Sequence, residues 1–230
     1  MGLHSPRRAV DPGGVTKRFA PAGVYAAGDC AYHNPTMAKR RRQDNAQDSG
    51  RPHGRPRGPR RLAFIALGCA KAMVDAERML GDLGQAGFVL TDRLAEADVI
   101  IVNTCGFLDA ARQEALGELR QAAKLRRAGR CSRLVATGCL VQRDRQALLQ
   151  AVPEIDALVG VHDRDQLVAV VTGQGDPVRI AEKPCGIESD SGRLRLTARH
   201  WAYLRISEGC NQWCSFCTIP AIRGDRKSVV

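Results

Sequence analysis

Three short apolar runs, each closed within a few residues by a cysteine beside a glycine, set the narrowest bounds on this chain. Leu62 to Leu67 runs into Gly68-Cys69, Val99 to Val102 passes through Asn103-Thr104 into Cys105-Gly106, and Leu134 to Thr137 runs into Gly138-Cys139. Compact runs of Val, Ile, Leu and Ala read as strands buried on both faces. Helical patterns lie between them. Met73, Ala76, Met79, Leu80 and Leu83 precede the stops Gly84 and Gly87, and Leu108, Ala111, Ala115, Leu119 and Ala122 share one face of a longer helix. Further strands are expected at Phe88 to Leu90 and Ala157 to Val159. A short helix from about Asp144 precedes Pro153, and Asp163 can cap a last helix through Val170. Strands alternating with helices predict an α/β fold, a parallel sheet with helices on both faces.

That topology gives the cysteines a meaning. In a parallel sheet the carboxyl ends of the strands share one edge, where open α/β sheets bind ligands. Cys69, Cys105 and Cys139, far apart in sequence, are expected to converge there. Gly68, Gly106 and Gly138 beside them permit close backbone approach to a bulky group. The plain alternative is three buried apolar cysteines. Cys131 precedes its strand and Cys185 sits in a connecting segment, so both are expected to be free thiols, and Cys30 receives no role.

A second cysteine group follows downstream. The alternating run from Trp201 to Ser207 reads as a strand that empties into a loop carrying Cys210, Cys214 and Cys217. Three thiolates so closely spaced on one loop can hold three irons of a four-iron cluster and leave the fourth open. Zinc is the competing use, but it favours paired dithiols or added histidines. His200 lies at the far end of the expected strand.

Composition narrows the context. With 230 residues there is room for one full domain and part of a second. Nine cysteines without an N-terminal apolar segment of signal type favour metal or redox use over a disulfide scaffold. No apolar run is long enough to span a membrane. Of the net charge of +11, nine units fall in residues 1 to 61, so the remainder is nearly neutral. Residues 1 to 61, rich in Gly, Pro and Arg, are expected to be a disordered basic leader, dispensable for the fold and compatible with weak RNA contact. Met37, ahead of Lys39 to Arg42, is a second candidate start. The expected layout is a cluster domain over 62–172, a linker or irregular hairpin over 173–199, and the opening of a second domain over 200–230.

The Cys210–Cys217 loop resembles the signature of the radical S-adenosylmethionine enzymes. With Leu67-Gly68-Cys69-Ala70-Lys71, Asn103-Thr104-Cys105-Gly106-Phe107 and Thr137-Gly138-Cys139-Leu140, the chain from about Leu62 to Lys227 resembles the methylthiotransferase family. The resemblance implies a Rossmann-like cluster domain followed by the start of a radical partial (β/α) barrel. It implies two 4Fe-4S clusters, an auxiliary one on Cys69, Cys105 and Cys139 and a radical one on Cys210, Cys214 and Cys217. Phe216 matches an aromatic that lies near the adenine of S-adenosylmethionine. It further implies a cytoplasmic enzyme and an electron donor such as flavodoxin or ferredoxin.

Within the family, one branch modifies the β-carbon of an aspartate on small-subunit ribosomal protein twelve. The other modifies an N6-isopentenyl adenosine of transfer RNA. Lys71, Val74-Asp75-Ala76-Glu77, Gly106-Phe107-Leu108-Asp109, Arg112-Gln113-Glu114 and Ile219-Pro220-Ala221-Ile222-Arg223-Gly224 resemble the ribosomal branch. The Gln-Met-Asn and Val-Pro-Tyr-Thr stretches of the transfer-RNA branch are not present. Ala72 departs from the asparagine common to both. The expected substrate is the ribosomal protein, the alternative is transfer RNA, and a non-catalytic metal-binding module associated with RNA is a third reading. Because a full barrel needs further strands, the chain is expected to be the front portion of an enzyme, inactive alone.

Overall fold

The computed structural model describes residues 60–182 and 191–228, with side chains as far as Arg226. The readings of residues 1 to 59, and of Cys30 and Cys185, fall outside this range.

Six parallel strands form one sheet: β1 (Arg61–Ala66), β2 (Val89–Leu90), β3 (Val99–Thr104), β4 (Arg133–Gly138), β5 (Ala157–Val159) and β6 (Val178–Arg179). Their order is β2-β1-β3-β4-β5-β6, every pairing parallel. All six residues of β3 are buried, as a central parallel strand covered on both faces requires. The sheet carries α1 (Ala70–Gln85) and α4 (Leu167–Thr172) on one face, α2 (Asp109–Arg127) and α3 (Cys139–Ala151) on the other. Alternation along β3 sets the two cores: Ile100 and Val102 pack with Ala115, Leu119 and Leu140, while Val99 and Ile101 pack with Met79, Leu83 and Val170. Burying each of these large side chains contributes about 1.5–3 kcal/mol.

The α2 stripe is buried at Ala115, Leu119 and Ala122, whereas Leu108 is the N-cap and exposed. Asp109 in the first turn and Lys124, Arg126 and Arg127 in the last complement the helix dipole. Two details differ from the sequence expectation. The helix after β4 begins at once at Cys139, not near Asp144, where the backbone instead kinks. Gly138 makes this possible, because its φ of 101° turns strand into helix with no intervening loop. Asp163 does not cap α4: a 3-10 turn (Arg164–Gln166) intervenes, and the carboxylate accepts the Ala181 N–H at 2.6 Å.

The largest difference lies downstream. Trp201 to Ile206 is not a strand; only β7 (Ser207–Glu208) pairs, antiparallel, with β8 (Lys227–Ser228). Alternation supplies a strand's pattern, but backbone N–H and C=O groups also need a neighbouring strand. Leu204 and Ile206 are exposed. The stretch before it is anchored to α1: the Leu194 N–H donates to the Glu77 carbonyl, the Leu196 N–H to the Glu77 carboxylate, and Arg193 pairs with that carboxylate at 2.6 Å.

Candidate functional site

The three upstream cysteines follow neighbouring strands. Cys69 is the N-cap of α1 after β1, Cys105 comes directly after β3, and Cys139 is the first residue of α3 after β4. Register aligns their bases, with Ala66 opposite Asn103 and Thr104 opposite Gly138. The sheet order turns back between β1 and β3, so this edge includes the switch point at which α/β sheets bind ligands.

Side chains stitch the turns together. Asn103 Nδ2 donates to the Ala72 carbonyl at 3.1 Å, Thr104 Oγ1 to the Thr137 carbonyl at 2.7 Å, and Arg143 to the Gly106 carbonyl at 2.9 Å. The glycines are required by space as much as by conformation. A Cβ on Gly106 would stand 2.8 Å from the Cys139 backbone, and one on Gly68 3.0 Å from Ala72 Cβ. One on Gly138 would stand 2.5 Å from the Thr104 carbonyl oxygen, at a φ that L side chains rarely adopt. Gly138→Ala is therefore expected to cost about 3 kcal/mol from overpacking and backbone strain together, read as a lowered urea midpoint. An unchanged midpoint would refute the close fit.

Arg223, on α5 (Ile219–Arg223), enters this edge from the downstream segment. Its Nη2 donates to Cys139 Sγ at 3.5 Å and to Asp75 Oδ2 at 2.8 Å, and its Nη1 donates to Glu208 Oε1 at 3.0 Å. Asp75, buried on α1, also faces Arg164 at 3.0 Å and Arg205 at 3.1 Å. Glu208 in turn pairs with Arg205 at 3.3 Å and Lys71 at 3.6 Å, and Lys71 donates to the Ser207 carbonyl at 2.9 Å. Lys71 and Asp75 come from one of the stretches that marked the ribosomal branch in the sequence, Arg223 from another. The fold brings those stretches into contact.

These charges set the local ionisation. Burial opposes the charge on Asp75, but the guanidiniums of Arg164, Arg223 and Arg205 outweigh it and hold the carboxyl below its usual range. Burial pushes the Cys139 thiol up, against the pull of Arg223, and Cys69 acts on it electrostatically. Burial pushes buried His162 down, as do Arg164 and Arg223, while Asp163 and Glu208 oppose them. A depressed folded pKa means that His162 contributes stability above its unfolded value, about 6.5, and loses it as pH falls through the folded value. The urea midpoint is expected to fall between pH 7.5 and 5, and less steeply in His162→Gln. Parallel profiles would overturn this.

The second cysteine group sits against the same segment. The Cys210 N–H donates to the Gly224 carbonyl and the Cys217 N–H to the Cys214 carbonyl, both at 3.0 Å. Cys210 and Cys217 are half-buried, while Cys214, Trp213 and Phe216 are exposed. Cys131 is a buried free thiol apart from both groups, as its position before β4 led one to expect.

Two groups of three thiols are of a chemical type that suits iron–sulfur ligation. Among the described residues no three His, Cys, Asp or Glu side chains gather around a single-ion position. A cluster does not ask for that, since each thiolate takes a different iron. Among the described residues, no helix is long and apolar enough to cross a membrane. Sequence reading missed the ionic hub of Asp75, Glu208, Arg205 and Arg223. The available signal was a carboxylate at 75 on the helix face shared by Ala72, Ala76 and Met79.

Residues 61–160 match the family described as "Uncharacterized protein family UPF0004". The chain is 44% identical over 173 residues to the ribosomal protein uS12 methylthiotransferase RimO of Symbiobacterium thermophilum, covering 74% of this chain and 36% of that relative. It is 39% identical over 168 residues to the RimO of Solibacter usitatus, and 37% identical over 171 residues to that of Myxococcus xanthus. These alignments cover 73% and 74% of this chain and 36% of each relative. The chain thus spans little more than a third of the length of the curated relatives it matches. A parallel α/β domain with cysteines at three adjoining strand ends and these identities make the chain similar to the methylthiotransferases. Among them its similarity is to the RimO type.

Proposed function

We propose that this chain supplies the two cluster sites of a radical S-adenosylmethionine methylthiotransferase that modifies an aspartate of ribosomal protein uS12. The observation that carries the reading is the arrival of Cys69, Cys105 and Cys139 at adjoining strand ends, with Arg223 of the downstream segment on Cys139 Sγ. Cys69, Cys105 and Cys139 would hold an auxiliary 4Fe-4S cluster and Cys210, Cys214 and Cys217 a second one. When bound, these clusters supply the transferred sulfur and the electron that cleaves S-adenosylmethionine.

The residues have separable tasks. Asn103, Thr104 and Arg143 hold the three upstream turns in register, and Gly68, Gly106 and Gly138 keep side chains out of the space beside them. Lys71, Asp75 and Arg223 fix the loop of Cys210 against that edge. Exposed Phe216 is free to cover the adenine. We read residues 200–230 as opening the partial barrel, and assign a cytoplasmic setting with an electron donor of the flavodoxin or ferredoxin kind. The relatives' names support the ribosomal substrate.

The test expresses the full reading frame in cells lacking either modification, with mass spectrometry of both substrates. A methylthio group on the uS12 aspartate is expected. A methylthio group on the transfer-RNA nucleoside, with uS12 unchanged, would overturn the substrate assignment.

A further inference from the structure

The geometry points to Arg223 as a positioning residue that sets the reduction potential of a cluster held by Cys139, by donating a fixed hydrogen bond to its sulfur. This rests on the reading of Cys139 as a cluster ligand. Arg223 is 1% exposed and is clamped from two sides, by Asp75 at 2.8 Å and Glu208 at 3.0 Å. The carboxylates, not the sulfur, therefore determine where the guanidinium sits. One consequence is that Nη2 faces Cys139 Sγ at 3.5 Å, within the range of an N–H donor to sulfur. Arg223 Nε is also buried, with no hydrogen-bond partner among the described residues, so the guanidinium retains a spare donor.

The chemistry fixes the sign. One-electron reduction of a cluster adds a negative charge that is shared with its thiolate ligands. A buried donor and positive charge at one of those sulfurs stabilise the reduced form more than the oxidised one, and the potential rises. Arg is suited to this because its planar fork binds two carboxylates and still presents an N–H elsewhere, whereas a lysine ammonium is a single point. Since Glu208 lies two residues before Cys210 and the Gly224 carbonyl takes the Cys210 N–H, this side chain also ties the tuned sulfur to the second cysteine loop.

The test uses the chain with Cys210, Cys214 and Cys217 all replaced by alanine, leaving only the upstream ligand set. After anaerobic reconstitution with iron and sulfide, a potentiometric titration with dithionite as the one-electron donor is followed by electron paramagnetic resonance. Arg223→Lys and Arg223→Met are compared with this background, with iron content and far-UV circular dichroism measured on each. The midpoint is expected to move to more negative potential in both, further in the methionine variant, with iron retained. A purely structural role would lower the melting temperature and leave the midpoint in place, which would overturn the proposal. If the methionine variant does not fold, the lysine variant decides by the same midpoint. Failure of the background itself to bind iron would overturn the cluster reading and this inference together. Iron binding with an unmoved midpoint would overturn the inference alone.

Discussion

Replacing Cys69, Cys105 and Cys139 together by alanine is expected to leave the reconstituted chain with about half its iron, and replacing Cys210, Cys214 and Cys217 the other half, since each triple would serve one four-iron cluster. The halves should be separable because each set hangs from its own backbone pairing, the link through Arg223 being made by side chains. The upstream set hangs from β1, β3 and β4, whose pairing with one another involves no residue beyond Gly138. The downstream set lies in a loop closed by β7 and β8 and by the Cys210 to Gly224 hydrogen bond. Iron and sulfide analysis with visible absorption checks the outcome. Full iron retention in either triple variant would refute the assignment of that triple. Cys131→Ala serves as the control and is expected to leave iron unchanged, because that thiol is buried apart from both sets.

Asp75→Ala is expected to destabilise the fold by about 3–5 kcal/mol, the cost of leaving buried charge without its partner. Here three guanidiniums lose their common anion, with Arg205 and Arg223 side chains 4% and 1% exposed. Against a total stability of roughly 5–15 kcal/mol this is a large fraction. Glu208 keeps part of the compensation, being bonded to both Arg205 and Arg223. Arg223→Met in the Asp75→Ala background should therefore cost less than it does alone, with a coupling of about 1–3 kcal/mol in a double-mutant cycle. Urea denaturation of the four proteins checks this. Additive effects would show that Asp75 and Arg223 are not energetically paired.

The sheet was legible because parallel strands covered on both sides must be continuously apolar, and Val99 to Val102 and Leu134 to Thr137 announce themselves in that way. The short edge strand β6 was not, since two residues carry no period and Gly175 and Pro177 mark a turn. The Trp201 to Ser207 run shows the converse failure. Its alternation is real, yet pairing depends on a partner segment that the pattern itself cannot supply. The cysteine edge was inferred from topology alone, and the structure brings the three turns to it. The hub that joins this edge to the downstream loop stayed hidden because Asp75, Glu77 and Arg223 look like surface residues in a linear reading. Glu77 and Arg193 lie 116 positions apart and Asp75 and Arg223 148, and no periodicity reaches that far.

That separation has a consequence for synthesis. At roughly 5–20 residues per second, Asp75 leaves the ribosome on the order of ten seconds before Arg223, which lies 148 positions later. The sheet needs nothing beyond Arg179 to complete its pairing. In the last part of that interval Asp75 has Arg164 but not yet Arg205 or Arg223, Glu77 lacks Arg193, and the sulfur of Cys139 lacks its guanidinium. The upstream turns are thus formed while their edge is still open, and the arrival of residues 193 to 223 closes it. The nascent chain passes through a stage in which the Cys139 sulfur stands without the guanidinium that Arg223 later sets against it.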